Sequence, residues 1–321
     1  MTIELHAGPA AAAAAEGPLF TVVIPTYNRR DTVVEAVRSA LEQTVADVEV
    51  IVIDDGSTDG TPSAIAAIGD ERVHVIVQAN GGAAAARNRG IADARGRYVA
   101  FLDSDDRFLP DHLADLLPLL AQGDDVVAYS RVIVDRGEGR CFLKPFREIR
   151  SGETVDRYLM CERGFIQTSS MALRRTLAAS VRYREDVGFG DDTDFAVRLS
   201  LAGARFLMAP GATVLWADRR TDNRLSQVRS SIGNLAWLKD LEPHISARAY
   251  SAYMGWHAAK SVWPTSRRTA LRYYFDAIRR GAFRPGLALV VLLQIIVPDT
   301  AYRRAADRWV ALTARFRGVR I

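Results

Sequence analysis

The chain has 321 residues, 49% of them hydrophobic and 25% charged, with a formal net charge of +4. That composition excludes a disordered chain, and two cysteines, Cys141 and Cys161, are too few for a disulfide framework. No apolar run reaches the ~18 residues of a spanning helix, and the Ala-rich start lacks the charged n-region of a signal peptide, so the protein is expected to be neither exported nor integral to a membrane.

Residues 1–18 read as a loosely attached arm. LFTVVI (19–24) is a β-branched strand ending at Pro25, and a helix is expected from Asp31, its N-cap, to Gln43. VEVIVID (48–54) is a second strand, closed by the turn-rich DGSTDGT. A short helix leads to VHVIVQ (73–78), then an Ala-rich helix from Gly82 to Ala94, then a fourth strand, YVAFLD (98–103). Nearly continuous apolar strands separated by helices predict an α/β fold, a mostly parallel sheet covered on both faces. Ligands of such sheets bind beyond the carboxyl ends of the strands, so Pro25–Arg29, Asp54–Asp59 and Asp103–Asp106 should converge on one acidic crevice.

Farther along, VVAYSRVIV (126–134) and CFLKPF (141–146) predict a hairpin. Helices are expected at 153–160 and 191–203, and two more strands at RFLMA (205–209) and TVLWA (213–217). From Asn223 the chain reads as helical, broken at Pro243, Pro264, Pro285 and Pro298. This last part is basic: residues 267–321 hold twelve Arg and three Asp, leaving a net −5 for the first 266 residues.

Four segments carry candidate chemistry, each with two readings. FLDSDD (101–106) has three carboxylates within four positions after a buried strand, which suits a hard Mg²⁺ or Mn²⁺ ion shared with water and phosphate; it also suits a solvated acidic turn. IDDGSTDGT (53–61) offers acceptors for a nucleobase or ribose, or is an ordinary turn and helix cap. GGAAAARNRG (81–90) is a small-residue helix that packs closely on the sheet, with Arg87, Asn88 and Arg89 as added polar groups. GDDTDFAVRLSLAG (190–203) places Asp191 and Asp192 in the first turn of a helix, where carboxylates are favoured with or without a catalytic duty. Other nucleotide and hydrolase chemistries are missing their signatures: there is no G-x-G-x-x-G after the first strand, no lysine following glycine, and no H-E-x-x-H, G-x-S-x-G or paired C-x-x-C.

In order, TVVIPTYNR (21–29), VIDDGSTDGT (52–61), GGAAAARNRGIADARG (81–96), YVAFLDSDD (98–106) and GDDTDFAVRLSLAG (190–203) resemble the catalytic domain of glycosyltransferase family 2, of GT-A fold. The resemblance covers residues 19–218 and leaves 219–321 as a basic, helical C-terminal region. It implies inverting transfer of a sugar from a nucleotide-diphosphate donor, UDP-linked by preference, to an acceptor hydroxyl in cell-surface polysaccharide or glycolipid assembly. By position, Pro25, Tyr27 and Asn28 would line the nucleotide pocket, with Asp55 near the base and Arg87 and Asn88 on the uridine or phosphate side. Asp103 would hold ribose and help bind Mn²⁺ or Mg²⁺, Asp105 would ligate the metal, and Asp192 would be the general base, flanked by Asp191 where the family more often has Glu. An inactive nucleotide-sugar-binding or scaffold protein of the same fold is the alternative.

LALVVLLQIIV (287–297) would span ~16 Å as a helix, half a bilayer core, and arginines flank it. It suits either a core helix or a helix lying in an anionic membrane interface near a lipid-linked acceptor. The expected location is therefore the cytoplasm, with the inner face of the plasma membrane as an open docking surface. No nucleic-acid partner is expected, since no aromatic-interleaved basic pattern occurs. Arg219, Arg220 and Arg224, after the last strand, would close over the diphosphate or stay on the surface.

Overall fold

The computed structural model describes residues 17–218 and 235–314. Of the expected arm, only Gly17 and Pro18 fall within it, and Pro18 is already tied down: its carbonyl accepts from the Arg97 amide at 3.0 Å. Arg219, Arg220 and Arg224 lie outside the described residues.

The first half alternates as expected: β1 (Phe20–Thr26), α1 (Arg30–Leu41), β2 (Val48–Asp54), α2 (Thr61–Ala66), β3 (Val73–Val77), α3 (Ala83–Asp93), β4 (Tyr98–Phe101). Every residue of β1, β2 and β4 is buried, which is why these strands read as nearly continuous apolar runs. Within β2 the buried Glu49 accepts from Thr21 Oγ1 at 2.6 Å and from Arg95 N and Nε at 2.8 Å. The α1 cap differs from expectation: Arg29 stands at the N-cap, and Asp31 lies in the first turn, where the helix dipole favours it.

Next come β5 (Arg107–Phe108), α4 (His112–Leu120), β6 (Val126–Asp135), β7 (Cys141–Lys144), α5 (Val155–Cys161), β8 (Met171–Arg174), α6 (Arg175–Val181), α7 (Asp191–Leu201) and β9 (Arg205–Ala217). The sheet runs β3-β2-β1-β4-β8-β6-β9-β5, with β7 on β6. Its first four strands are mutually parallel, but β8 enters antiparallel between β4 and β6, so the sheet is mixed. The expected β6–β7 hairpin is present. The two strands expected at 205–209 and 213–217 are one strand, β9, which pairs with β6 on both sides of a register shift near Arg131.

The rest is helical: α8 (Ala236–Leu241), α9 (Ala247–Tyr253), a π-helical turn at Met254–Ala258, α10 (Ala259–Val262), α11 (Arg267–Arg279), α12 (Pro285–Ile296) and α13 (Asp299–Ala314). These helices share the core of the sheet: Val23, Phe101, Tyr129 and Phe195 belong to the same buried cluster as Trp237, Tyr253, Ala277 and Val291. The apolar run of α12 is only partly buried. Val291 and Ile295 are buried, while Leu289 is 59% exposed and Leu293 and Ile296 are 39% exposed. None of the described helices is long and apolar enough to cross a membrane.

The small residues of α3 let it lie close against the sheet. A Cβ on Gly90 would stand 2.3 Å from Val23 Cγ1, and Val23 is fully buried in the central strand. Gly90→Ala is therefore expected to cost ~1–3 kcal/mol by overpacking, read as a lower urea midpoint with an unchanged m-value.

Candidate active site

The polar segments after β1, β2 and β4 do converge. With the start of α7 they line one cavity of about 1200 Å³. Pro25, Tyr27, Asn28, Asp55, Arg87, Asp103, Asp105, Asp191 and Asp192 all border it; Asn88 does not.

At one end the two loops after β1 and β2 lock together. Asn28, held at φ +51°, takes the Ser57 hydroxyl with its backbone amide at 2.8 Å and accepts from the Thr58 amide at 2.9 Å. This leaves the ring of Tyr27 half-exposed at the cavity edge. Asp55 is almost fully buried, and both carboxylate oxygens are engaged: Oδ1 accepts from Gln78 Nε2 and Gly81 N, and Oδ2 from Gly82 N at 2.7 Å. Asp55 thereby fixes the glycine turn that launches α3, a duty its sequence position does not disclose.

Arg87, the fifth residue of that helix, is 5% exposed and forked. Its Nη2 donates to Asp103 Oδ1 at 2.8 Å and its Nη1 to Asp191 Oδ2 at 2.6 Å, while the guanidinium lies 5.1 Å from the Tyr183 ring centroid. Neighbouring Asn88 turns away and is buried. Its amide donates to Tyr183 O and Glu185 Oε1 and accepts from Tyr183 N, tying α3 to the segment before α7.

The three aspartates after β4 separate by environment. Asp103 and Asp105 border the cavity, whereas Asp106 is 1% exposed and accepts from Gln167 Nε2 and Ser169 Oγ, both at 2.7 Å. Burial, with Asp103 and Asp105 close by, pushes the Asp106 carboxyl well above the usual carboxylate range. At the start of α7, Asp194 is fully buried and paired with Arg198 at 2.6 Å, leaving Asp191 and Asp192 to face the cavity. Burial and the Asp191 charge push the Asp192 carboxyl up to about 7, against the pull of the Thr193 amide and Arg87.

The opposite wall comes from residues that carry no motif. Tyr253, Trp256, His257, Lys260 and Gln294 line it from the helical region, and Lys144 and Arg163 from β7 and the α5–β8 connection. Tyr253 meets α7 at Gly190, whose φ of +88° and 2.8 Å approach to Tyr253 Oη by an added Cβ leave room for glycine alone. Trp256 donates to Gln294 Oε1 at 2.7 Å, and Gln294 donates on to Tyr302 at 2.9 Å, which accounts for the single polar residue in the apolar run of α12. Burial lowers His257 to about 4, so it stays neutral near neutral pH. Among the described residues, no group of three or more His, Cys, Asp or Glu side chains encloses a metal.

A family model described as glycosyl transferase family 2 matches residues 21–182. The amylovoran biosynthesis glycosyltransferase AmsB of Erwinia amylovora is 32% identical over 251 residues, spanning 73% of this chain and 82% of that one. The chain belongs to glycosyltransferase family 2. The family's GT-A fold is evident in solved neighbours as well. Staphylococcus aureus TarS 1-349, in complex with UDP-GlcNAc, superposes with a TM-score of 0.62 at 19% identity, covering 92% of this chain and 91% of that one. The mannosyltransferase PcManGT of Pyrobaculum calidifontis, in complex with GDP-Man and Mn²⁺, superposes at 0.58 with 21% identity, covering 94% and 88%.

The raised Asp192 carboxyl has a consequence for stability. An acid whose folded pKa exceeds its unfolded value, ~3.9, favours folding at low pH and loses that contribution as pH climbs through its folded value. Asp192→Asn, in metal-free protein, should therefore match wild type near pH 4 and melt higher than wild type at pH 8, by ~2 °C or more. Thermal unfolding across that range reads it; a variant that melts lower at pH 8 would refute the assignment.

Proposed function

We propose that the protein is an inverting glycosyltransferase that moves a sugar from a nucleoside-diphosphate donor to an acceptor hydroxyl in polysaccharide or glycolipid assembly. One observation carries the reading: two acidic pairs, Asp103/Asp105 and Asp191/Asp192, border one cavity and are joined through the buried Arg87 fork. The biosynthetic context rests on AmsB, and TarS with UDP-GlcNAc makes a UDP-linked sugar the first donor to test.

The donor's nucleoside lies between Tyr27 and the β1 and β2 loops, with Pro25, Asn28 and Asp55 shaping the pocket and Arg87 and Asp103 toward the ribose and phosphates. Asp191 holds Arg87 from the α7 side. Asp192 accepts the proton of the acceptor hydroxyl as its oxygen attacks the anomeric carbon from the face opposite the diphosphate. The bond to the nucleotide breaks, the diphosphate leaves with the electron pair, and the single displacement inverts the centre. A positioned base typically supplies ~10²–10⁴-fold.

The residues present fit Mn²⁺ or Mg²⁺. Asp103 and Asp105 offer hard oxygen donors, and the neighbouring negative charge that adds to burial in raising Asp106 and Asp192 is what a divalent cation offsets. Bound by Asp105 and Asp103, such an ion would neutralise charge on the departing diphosphate. Outside the cavity, the exposed Leu289, Leu293 and Ile296 of α12, in a C-terminal region rich in arginine, support a peripheral contact with an anionic membrane.

Thermal shift with UDP, GDP, dTDP and CDP, each with and without Mn²⁺, tests the donor site. Ligand at ~100 times its Kd stabilises a fold by ~2.7 kcal/mol, so one nucleotide should give a clear Mn²⁺-dependent shift that Asp105→Ala abolishes. Asp192→Asn should keep that shift and lose transfer by ~10²-fold or more, and NMR of the wild-type product should show the inverted anomer. No shift with any nucleotide would favour a scaffold; a retained anomer would overturn the mechanism.

A further inference from the structure

Five Lys and Arg side chains line the cavity: Arg29, Arg87, Lys144, Arg163 and Lys260. Arg87 is held by Asp103 and Asp191, Lys260 by Asp299 at 2.8 Å, and Arg29 sits with the donor loop and has a partner of its own. Lys144 and Arg163 differ. Among the described residues neither has a carboxylate at ion-pair distance.

Lys144 is held without being neutralised. Its Nζ lies 4.7 Å from the Phe165 ring centroid, 5.4 Å from Trp216 and 6.0 Å from Phe142. Phe165 and Trp216 are themselves stacked, 5.3 Å apart. Such a cage attracts an ammonium by its ring quadrupoles without supplying a negative charge to pair with it. Arg163 is exposed and sits at φ +56°, a left-handed conformation that costs a non-glycine residue and that recurs at functional positions. Burial lowers Lys144 to about 8; the Asp218 carboxylate, itself bound by Arg136 and Arg303, opposes that shift, while Arg163 and Arg136 add to it. Two cations that line one cavity, neither with a carboxylate at ion-pair distance among the described residues, leave room for an anion.

Place identifies the anion's owner. A second groove, of about 450 Å³, meets the cavity at Pro145, Phe146, Arg163 and Gly164, so Arg163 stands at the junction. The 66% exposed Phe146 at the junction and Leu287 beyond it make its wall partly apolar. Its other arginines are already engaged, Arg147 by Glu153 at 2.6 Å and Arg284 by Glu162 at 3.2 Å. Lys144 is also within electrostatic reach of Asp192, the base, where the acceptor hydroxyl must stand. The donor loops come from β1 and β2, elements that contribute nothing to this groove.

We propose that Lys144 and Arg163 form an acceptor subsite for a phosphate or diphosphate group, with the apolar groove at Phe146 and Leu287 receiving the chain attached to it. The acceptor is then an anionic, phosphate-linked sugar, anchored at its phosphate while its hydroxyl meets Asp192. This rests on Asp192 as the base; the pairing of the two cations does not.

A diphosphate could belong to either substrate, and calorimetry separates the two. Protein saturated with its nucleoside diphosphate, at fixed free Mg²⁺, is titrated with octyl diphosphate and, as the uncharged control, octanol. Wild type should bind one octyl diphosphate per chain beside the nucleotide. Arg163→Ala and Lys144→Met should each weaken it tenfold or more, with nucleotide affinity changed less than twofold, and Arg163→Lys should retain most of it. Arg163→Gly, which suits the left-handed backbone, should bind as weakly as Arg163→Ala and so exclude misfolding as the cause. Nucleotide affinity falling in step would assign the cations to the donor and overturn the proposal; so would equal binding of octanol, or an octyl diphosphate site the variants leave intact. If wild type binds octyl diphosphate at these residues but no nucleotide, the donor reading fails and the anion site stands.

Discussion

The buried fork of Arg87 is the constraint on which the site depends. A guanidinium this enclosed is tolerable only because two carboxylates meet it, and removing one partner of a buried pair typically costs ~3–5 kcal/mol. Its two partners come from parts of the chain 88 residues apart, Asp103 from the end of β4 and Asp191 from the start of α7. The fork thus sets the distance between the acidic turn and the proposed base. It is held in turn by α3, which Gly90 seats against Val23 and whose first turn Asp55 fixes through Gly81 and Gly82. Charge pairing, close packing and a carboxylate-capped turn therefore act in series.

The helical third supplies one wall of the cavity. Its π-helical turn at Met254–Ala258 widens the helix locally, a feature that often marks functional positions. Here it sets Trp256 and His257 on the cavity wall, stacked with ring centroids 5.1 Å apart. The indole is then oriented through Gln294 and Tyr302, so α12 and α13 fix a side chain that faces the chemistry. A helix whose sequence reads as a candidate for burial or for a membrane is half-buried on the catalytic domain, and its one polar residue serves the wall.

What the sequence disclosed followed physical periodicity. β1, β2 and β4 are buried on both faces, so their apolar runs are nearly continuous and their ends easily located, and the acidic motifs at those ends fall on one cavity as expected. Other features depend on partners distant in the chain. β8 has four residues and no alternation, and it is a strand because β4 and β6 flank it. Asp106 and Asp105 are adjacent and identical in type, yet one is enclosed by Gln167 and Ser169 while the other borders the cavity. Asn88 and Arg87 are likewise neighbours that helical geometry sends in different directions. Lys144 and Arg163 belong to no motif, since their meeting is a product of the folded hairpin and the turn before β8.

The common core of sheet and C-terminal helices has a consequence for cooperativity. Val23 and Phe101 share one buried cluster with Trp237, Ala277 and Val291, so loosening either part exposes apolar surface on the other. Heat should then meet a single melting unit and not a sheet that outlives its tail. For a family whose motifs end near the last strand, that makes the tail an inseparable part of the catalyst. An exchange of tails between relatives would have to carry its share of the core with it.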